Sequence, residues 1–113
     1  MEIEVLTWLE DITNSIQEIR SFSPKNHNYF EFQKDLKGKR AIERNIEIIG
    51  EAVNRILKTN PNFPITNARK IVDTRNRISH GYDTVSDAII WSIITRDLKN
   101  LESEISVLLK KGN

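Results

Sequence analysis

The sequence predicts an all-α protein, an up-and-down bundle of four main helices with one short extra helix. Three observations predict it. Apolar residues recur at steps of three and four in four separate segments. No stretch of useful length alternates apolar and polar residues as a half-buried strand does. The breaks between segments carry proline, glycine or helix-capping side chains.

Taken in order, Ile3, Val5, Leu6, Trp8, Leu9, Ile12, Ile16 and Ile19 mark one face of a first helix, from about Met1 to Arg20, with Ser23-Pro24 ending it. Tyr29, Phe30 and Phe32 belong to a brief helix between Asn28 and Leu36. Ile42, Ile46, Ile49, Val53 and Ile56 define a long helix from about Lys37 to Lys58. Gly50 lies inside it, where glycine costs about 1 kcal/mol relative to alanine, which suggests that another backbone approaches closely there. Asn60-Pro61-Asn62-Phe63-Pro64 is a loop, because its prolines cannot continue a helix. Thr66 or Asn67 is placed to cap the next helix, which carries Ile71, Val72 and Ile78 and should end near Gly81. Thr84-Val85-Ser86-Asp87 offers caps for a last helix reaching about Lys110, with Ile90, Ile94, Leu98, Leu101, Ile105 and Leu108 inward and Trp91 beside them.

Residues 1–113 fit one domain, long enough to enclose a modest core without disulfides or a structural metal. The absence of cysteine excludes disulfide frameworks, thiolate metal sites and cysteine nucleophiles together. Glu2 and Glu4 open the chain where a secretory signal would be basic, and no apolar run approaches the roughly 20 residues of a membrane span. A cytoplasmic protein without membrane contact is the expectation. Seventeen Lys plus Arg against sixteen Asp plus Glu leave a net charge of +1, so any anion binding has to come from local clustering. Lys34, Lys37, Lys39, Arg40 and Arg44 form such a cluster, although a run of this kind is more often a solvated face.

Chemistry concentrates in Arg75-Asn76-Arg77-Ile78-Ser79-His80-Gly81-Tyr82. A guanidinium can neutralise charge on phosphate oxygens, and an imidazole can move protons near neutral pH, so Arg75 and His80 suit phosphodiester transfer. RNA fits best, because its 2′-hydroxyl supplies the nucleophile. No His, Asp or Glu group stands at recognisable metal-ligand spacing, and His27 is remote in a loop, so no cofactor is expected. Residues five apart on a helix are rotated by about 140° from each other. Arg75 and His80 can therefore converge only if the helix unwinds before Gly81 or if two chains line one cleft. Asn76 and His80 share a face, which lets the amide orient the imidazole.

The motif Arg75-Asn76-x-x-x-His80-x-Tyr82 resembles the signature of the HEPN superfamily, and within it of the HepT-like toxins of toxin–antitoxin pairs. The segment from Ala41 to Val53, with Ile49-Gly50-Glu51-Ala52, resembles that family's central helix, and Trp91 with the following helix its C-terminal part. The resemblance implies a HEPN-like fold and a metal-independent endoribonuclease of the type VII kind, acting as a homodimer or higher even oligomer and leaving a cyclic phosphate end. It assigns catalysis to Arg75 and His80, with Asn76 in support. It also implies an MntA-like minimal nucleotidyltransferase antitoxin that transfers AMP from ATP onto the tyrosine, here Tyr82. The alternative is a non-catalytic interaction or substrate-binding module paired with a nucleotidyltransferase. Glu51 is expected to meet a basic group at a dimer seam, and Trp8 and Trp91 are expected in the core.

Overall fold

The computed structural model describes residues 2–26, 28–80 and 86–112, and over these the chain is helical. Helix α1 spans Ile3–Phe22 and stops at Ser23, whose extended backbone returns its N–H to the Arg20 carbonyl. The short α2, Tyr29–Lys34, starts at Asn28, whose side chain accepts from the Glu31 N–H. Asp35 caps α3, Leu36–Thr59, in the same way through the Gly38 N–H. These are the side-chain oxygens that helix N-termini call for.

Helix α4 covers Ala68–Ser79. Asn67 holds the capping position with φ 61°, a left-handed conformation that asparagine tolerates, but its side chain makes no cap hydrogen bond. Thr66 does not cap either, because its hydroxyl donates to Glu104 instead. Ser86 does cap α5, Asp87–Ser92, through the Ile89 N–H. A π-helical turn, Ile93–Asp97, joins α5 to α6, Leu98–Gly112. The Leu98 N–H there reaches back five residues to the Ile93 carbonyl.

Both α1 and α4 pack chiefly on α3, and α6 closes the bundle against α1. The core is built from Leu9, Ile12, Ile16 and Ile19 of α1, Ile42, Ile46, Ile49, Val53 and Ile56 of α3, and Ile71 and Val72 of α4, all buried. Ile90, Leu98, Leu101 and Ile105 complete it. Trp91 meets Tyr29 edge-on at 5.6 Å between ring centroids and Phe32 at 5.2 Å, so α2 docks on α5 through rings.

The expected stripes need one correction and one refinement. Ile3 is 81% exposed, since it opens α1 beyond the reach of the other helices. Ile94 packs against the core but stays half-buried, and Ile93 beside it is the residue fully turned inward, because the wider π turn rotates Ile93 and Asp97 together into the core. Among the described residues no helix is long and apolar enough to cross a membrane.

Candidate active site

Helix α4 carries the motif and is held along its length. Before it, the Thr66 N–H and hydroxyl both donate to the Glu104 carboxylate, at 3.0 and 2.7 Å. In its first turn Lys70 reaches the buried Asp97 carboxylate at 2.7 Å. At its far end the Ser79 hydroxyl donates to Glu47 of α3 at 3.1 Å.

Between these ties the two helices meet at Gly50. A Cβ there would overlap Arg75 Cβ and stand 2.8 Å from Arg75 Cγ and 3.2 Å from the Ile71 carbonyl oxygen. The close approach suggested by a mid-helix glycine is thus the passage of α4 over α3, at the motif arginine itself.

Arg75 lies largely enclosed, with 19% of its side chain exposed, and its Nη1 is 3.5 Å from Glu51 Oε2. Its Nε is buried and has no hydrogen-bond partner among the described residues. Glu51 also pairs with Arg55 at 3.2 Å. The basic groups that the structure places against Glu51, Arg55 and Arg75, belong to its own chain. Proximity explains this: Arg55 is one helical turn along α3, and α4 lays Arg75 over the neighbouring Gly50.

His80 follows the last residue of α4 and is exposed. Its N–H donates to the Asn76 carbonyl at 3.0 Å, so the helical ladder persists through His80 and does not unwind before Gly81. Its ring Nδ1 lies 2.8 Å from the same carbonyl oxygen. A carbonyl can only accept, so Nδ1 carries the proton and, in the neutral ring, Nε2 carries the lone pair. The group orienting the imidazole is thus the backbone of Asn76 and not its side-chain amide. The Asn76 side chain is half-buried and makes no hydrogen bond to another described residue.

Tyr82, Gly81, Thr84, Val85 and His27 lie outside the described residues. The basic cluster is largely neutralised within the chain: Lys39 pairs with Asp87 at 3.4 Å, Arg40 with Glu43 at 3.3 Å, and Arg44 with Glu47 at 3.9 Å. Trp8 is half-buried against the core and also lines a groove of about 300 Å³ with Asp11, Arg44, Glu51, Arg55 and Arg75. Sequence reasoning missed the groove and two of the carboxylates that tie α4 down, Glu47 and Asp97. Their partners lie on other helices, at separations that no local pattern marks.

The family model described as Ribonuclease HepT-like matches residues 12–108. A provisionally named RNase from Methanocaldococcus jannaschii is 30% identical over 108 residues, covering 95% of this chain and 88% of that protein. Another provisionally named RNase, from Caldanaerobacter subterraneus subsp. tengcongensis, is 32% identical over 88 residues, which is 77% of this chain and 79% of the relative. A Thermococcus cleftensis protein, also provisionally named, as ribonuclease HepT, is 29% identical over 107 residues, covering 91% and 94%. No solved structure matches the chain significantly.

Proposed function

Given that the chain belongs to the HepT-like ribonuclease family, we propose that it is a metal-independent endoribonuclease in which Arg75 and His80 act on RNA, with Asn76 in support. The observation that carries this reading is the bond from His80 Nδ1 to the Asn76 carbonyl. It fixes the proton on Nδ1, so that Nε2 is the basic nitrogen of the neutral ring, on a residue whose side chain is exposed. In the reaction, Nε2 takes the proton from a 2′-hydroxyl, the 2′-oxygen bonds to phosphorus, and the bond from phosphorus to the 5′-oxygen breaks. The departing 5′-oxygen takes a proton from water, leaving a 2′,3′-cyclic phosphate on one fragment and a hydroxyl on the other, and Nε2 returns its proton to the solvent. Arg75 neutralises charge on the non-bridging oxygens. Its guanidinium is a planar fork of five N–H donors, with Nη1 3.5 Å from Glu51.

The same reading makes the protein the toxin of a toxin–antitoxin pair, acting as a homodimer or higher even oligomer. Its partner is an MntA-like minimal nucleotidyltransferase that silences it by transferring AMP to Tyr82. A phosphate beside Arg75 and His80 would occupy the place of the RNA phosphate and repel it.

Three variants test these roles separately in an RNA cleavage assay. His80→Ala lowers turnover by about 10²–10⁴ while RNA binding persists. Arg75→Lys remains badly impaired although its charge is kept, because the planar fork is lost. Tyr82→Phe still cleaves but gains no AMP, by intact mass, after incubation with antitoxin and ATP. Unchanged cleavage by His80→Ala would remove the nuclease site, and equal AMP gain in wild type and Tyr82→Phe would remove the tyrosine.

A further inference from the structure

The groove beside Arg75 has a composition that simple helix packing does not require. Its volume, about 300 Å³, is at the lower end of small-ligand sites and suits a single nucleotide. One wall offers an aromatic ring, Trp8, and one turn further along the same helix face stands Asp11. The other carboxylates in the groove are engaged, Glu47 by Ser79 and Arg44, and Glu51 by Arg55 and Arg75. Asp11 is exposed and has no hydrogen bond or ion pair to another described residue. Arg44 and Arg55 stand at the rim with 69% and 55% of their side chains exposed.

We propose that this groove is a guanine-selective subsite for the nucleotide next to the scissile phosphate, an inference that rests on the ribonuclease reading above. An indole gives a stacking surface to any base. A carboxylate gives two parallel acceptors, and guanine is the common base whose Watson–Crick edge carries two adjacent donors, N1–H and the N2 amino group. Asp11 accepts both, Trp8 stacks on the purine, and Arg44 and Arg55 take the flanking phosphates. Arg75, in the same groove, then meets the phosphate to be cut.

The test uses the full chain and two readouts. In the first, GMP, IMP and AMP are titrated into the His80→Ala protein by calorimetry, which needs no catalysis. IMP lacks only the N2 amino group. GMP binds about tenfold or more tightly than IMP and AMP, and in the Asp11→Asn, His80→Ala double variant GMP and IMP bind alike. In the second, wild type cleaves oligoribonucleotides with a single guanosine faster than the same strands with inosine at that place. GMP selectivity without RNA cleavage by wild type upholds the groove and sinks the nuclease. RNA cleavage indifferent to guanosine, with no GMP binding, overturns the groove and leaves the nuclease standing. If instead Trp8→Ala changes the oligomeric state while wild type ignores GMP, the groove is a contact between copies and the proposal falls.

Discussion

Replacing Gly50 by alanine sets two opposed effects against each other, and the structure says which prevails. Alanine in a helix interior gains about 1 kcal/mol over glycine. Its methyl group, however, would stand 2.8 Å from Arg75 Cγ and closer still to Arg75 Cβ, where carbon atoms at rest lie about 3.5–4.0 Å apart. A rotamer change can move Cγ, but Cβ is fixed to the backbone of α4. Relief therefore requires α4 to lift from α3 by on the order of an ångström, at a place where Ser79–Glu47 and Lys70–Asp97 hold it down. Overpacking of this kind costs about 1–3 kcal/mol, and the backbone contact puts it at the upper end. The net loss is then about 2 kcal/mol, a fall in Tm on the order of 5–10 °C for a domain of this size. Circular dichroism at 222 nm through a thermal ramp measures it. Because α4 carries Arg75, cleavage well below Tm should fall as well, by about 10²-fold for a displacement of 1 Å. A Tm at or above that of wild type would show that propensity prevails and that the two helices do not touch here.

The other glycine with a crowded Cβ makes a useful contrast. At Gly38 the atoms nearest the added Cβ all belong to the carboxylate of Asp35, the flexible cap of α3. Loss of that cap, about 1 kcal/mol, roughly offsets the gain in propensity, so Gly38→Ala should unfold in urea within about 1 kcal/mol of wild type. Lys70→Met keeps the length of the side chain but leaves Asp97 buried without its cation. With the lysine itself 42% exposed, the cost should be nearer 2 than 5 kcal/mol by urea denaturation. A change under 0.5 kcal/mol would mean that the pair is not formed in solution.

Helix positions were legible because the 3.6-residue period of Leu9, Ile12, Ile16 and Ile19, or of Ile42, Ile46, Ile49, Val53 and Ile56, has no other economical reading. The cap at Ser86 was legible for a local reason, a hydroxyl three residues before the N–H that it accepts. The π turn was not, since Ile93 and Ile94 are both apolar and either could point inward. Nor were the ties on α4, for Lys70 with Asp97 and Ser79 with Glu47 join separate elements and look in sequence like ordinary surface polar residues. Within the candidate site, Arg75, Asn76 and His80 were singled out by their motif, and Gly50 by the oddness of glycine in a helix. That the backbone of Asn76, not its amide, holds the imidazole depends on how the ring turns at the end of the helix, which spacing alone does not determine.

The direction in which the two motif side chains leave α4 decides how a site can be assembled. Five residues separate Arg75 from His80, about 140° of rotation, and the two routes to convergence were an unwound helix end or a second chain. His80 still gives its N–H to Asn76, so the ladder remains wound through that residue. Arg75 meanwhile faces α3, beside Glu51 and over Gly50, while His80 is exposed at the end of the helix. This favours a cleft shared by two copies, in which the arginine of one chain works with the histidine of the other. Mixing Arg75→Ala with His80→Ala chains, each inactive alone, tests it. A dimer of one of each contains one site with both groups and one with neither. Equal parts, unfolded and refolded together so that chains exchange freely, should therefore regain about a quarter of the wild-type cleavage rate. Sites built within single chains would regain none, and a variant mixture as inactive as its parents would refute the shared cleft.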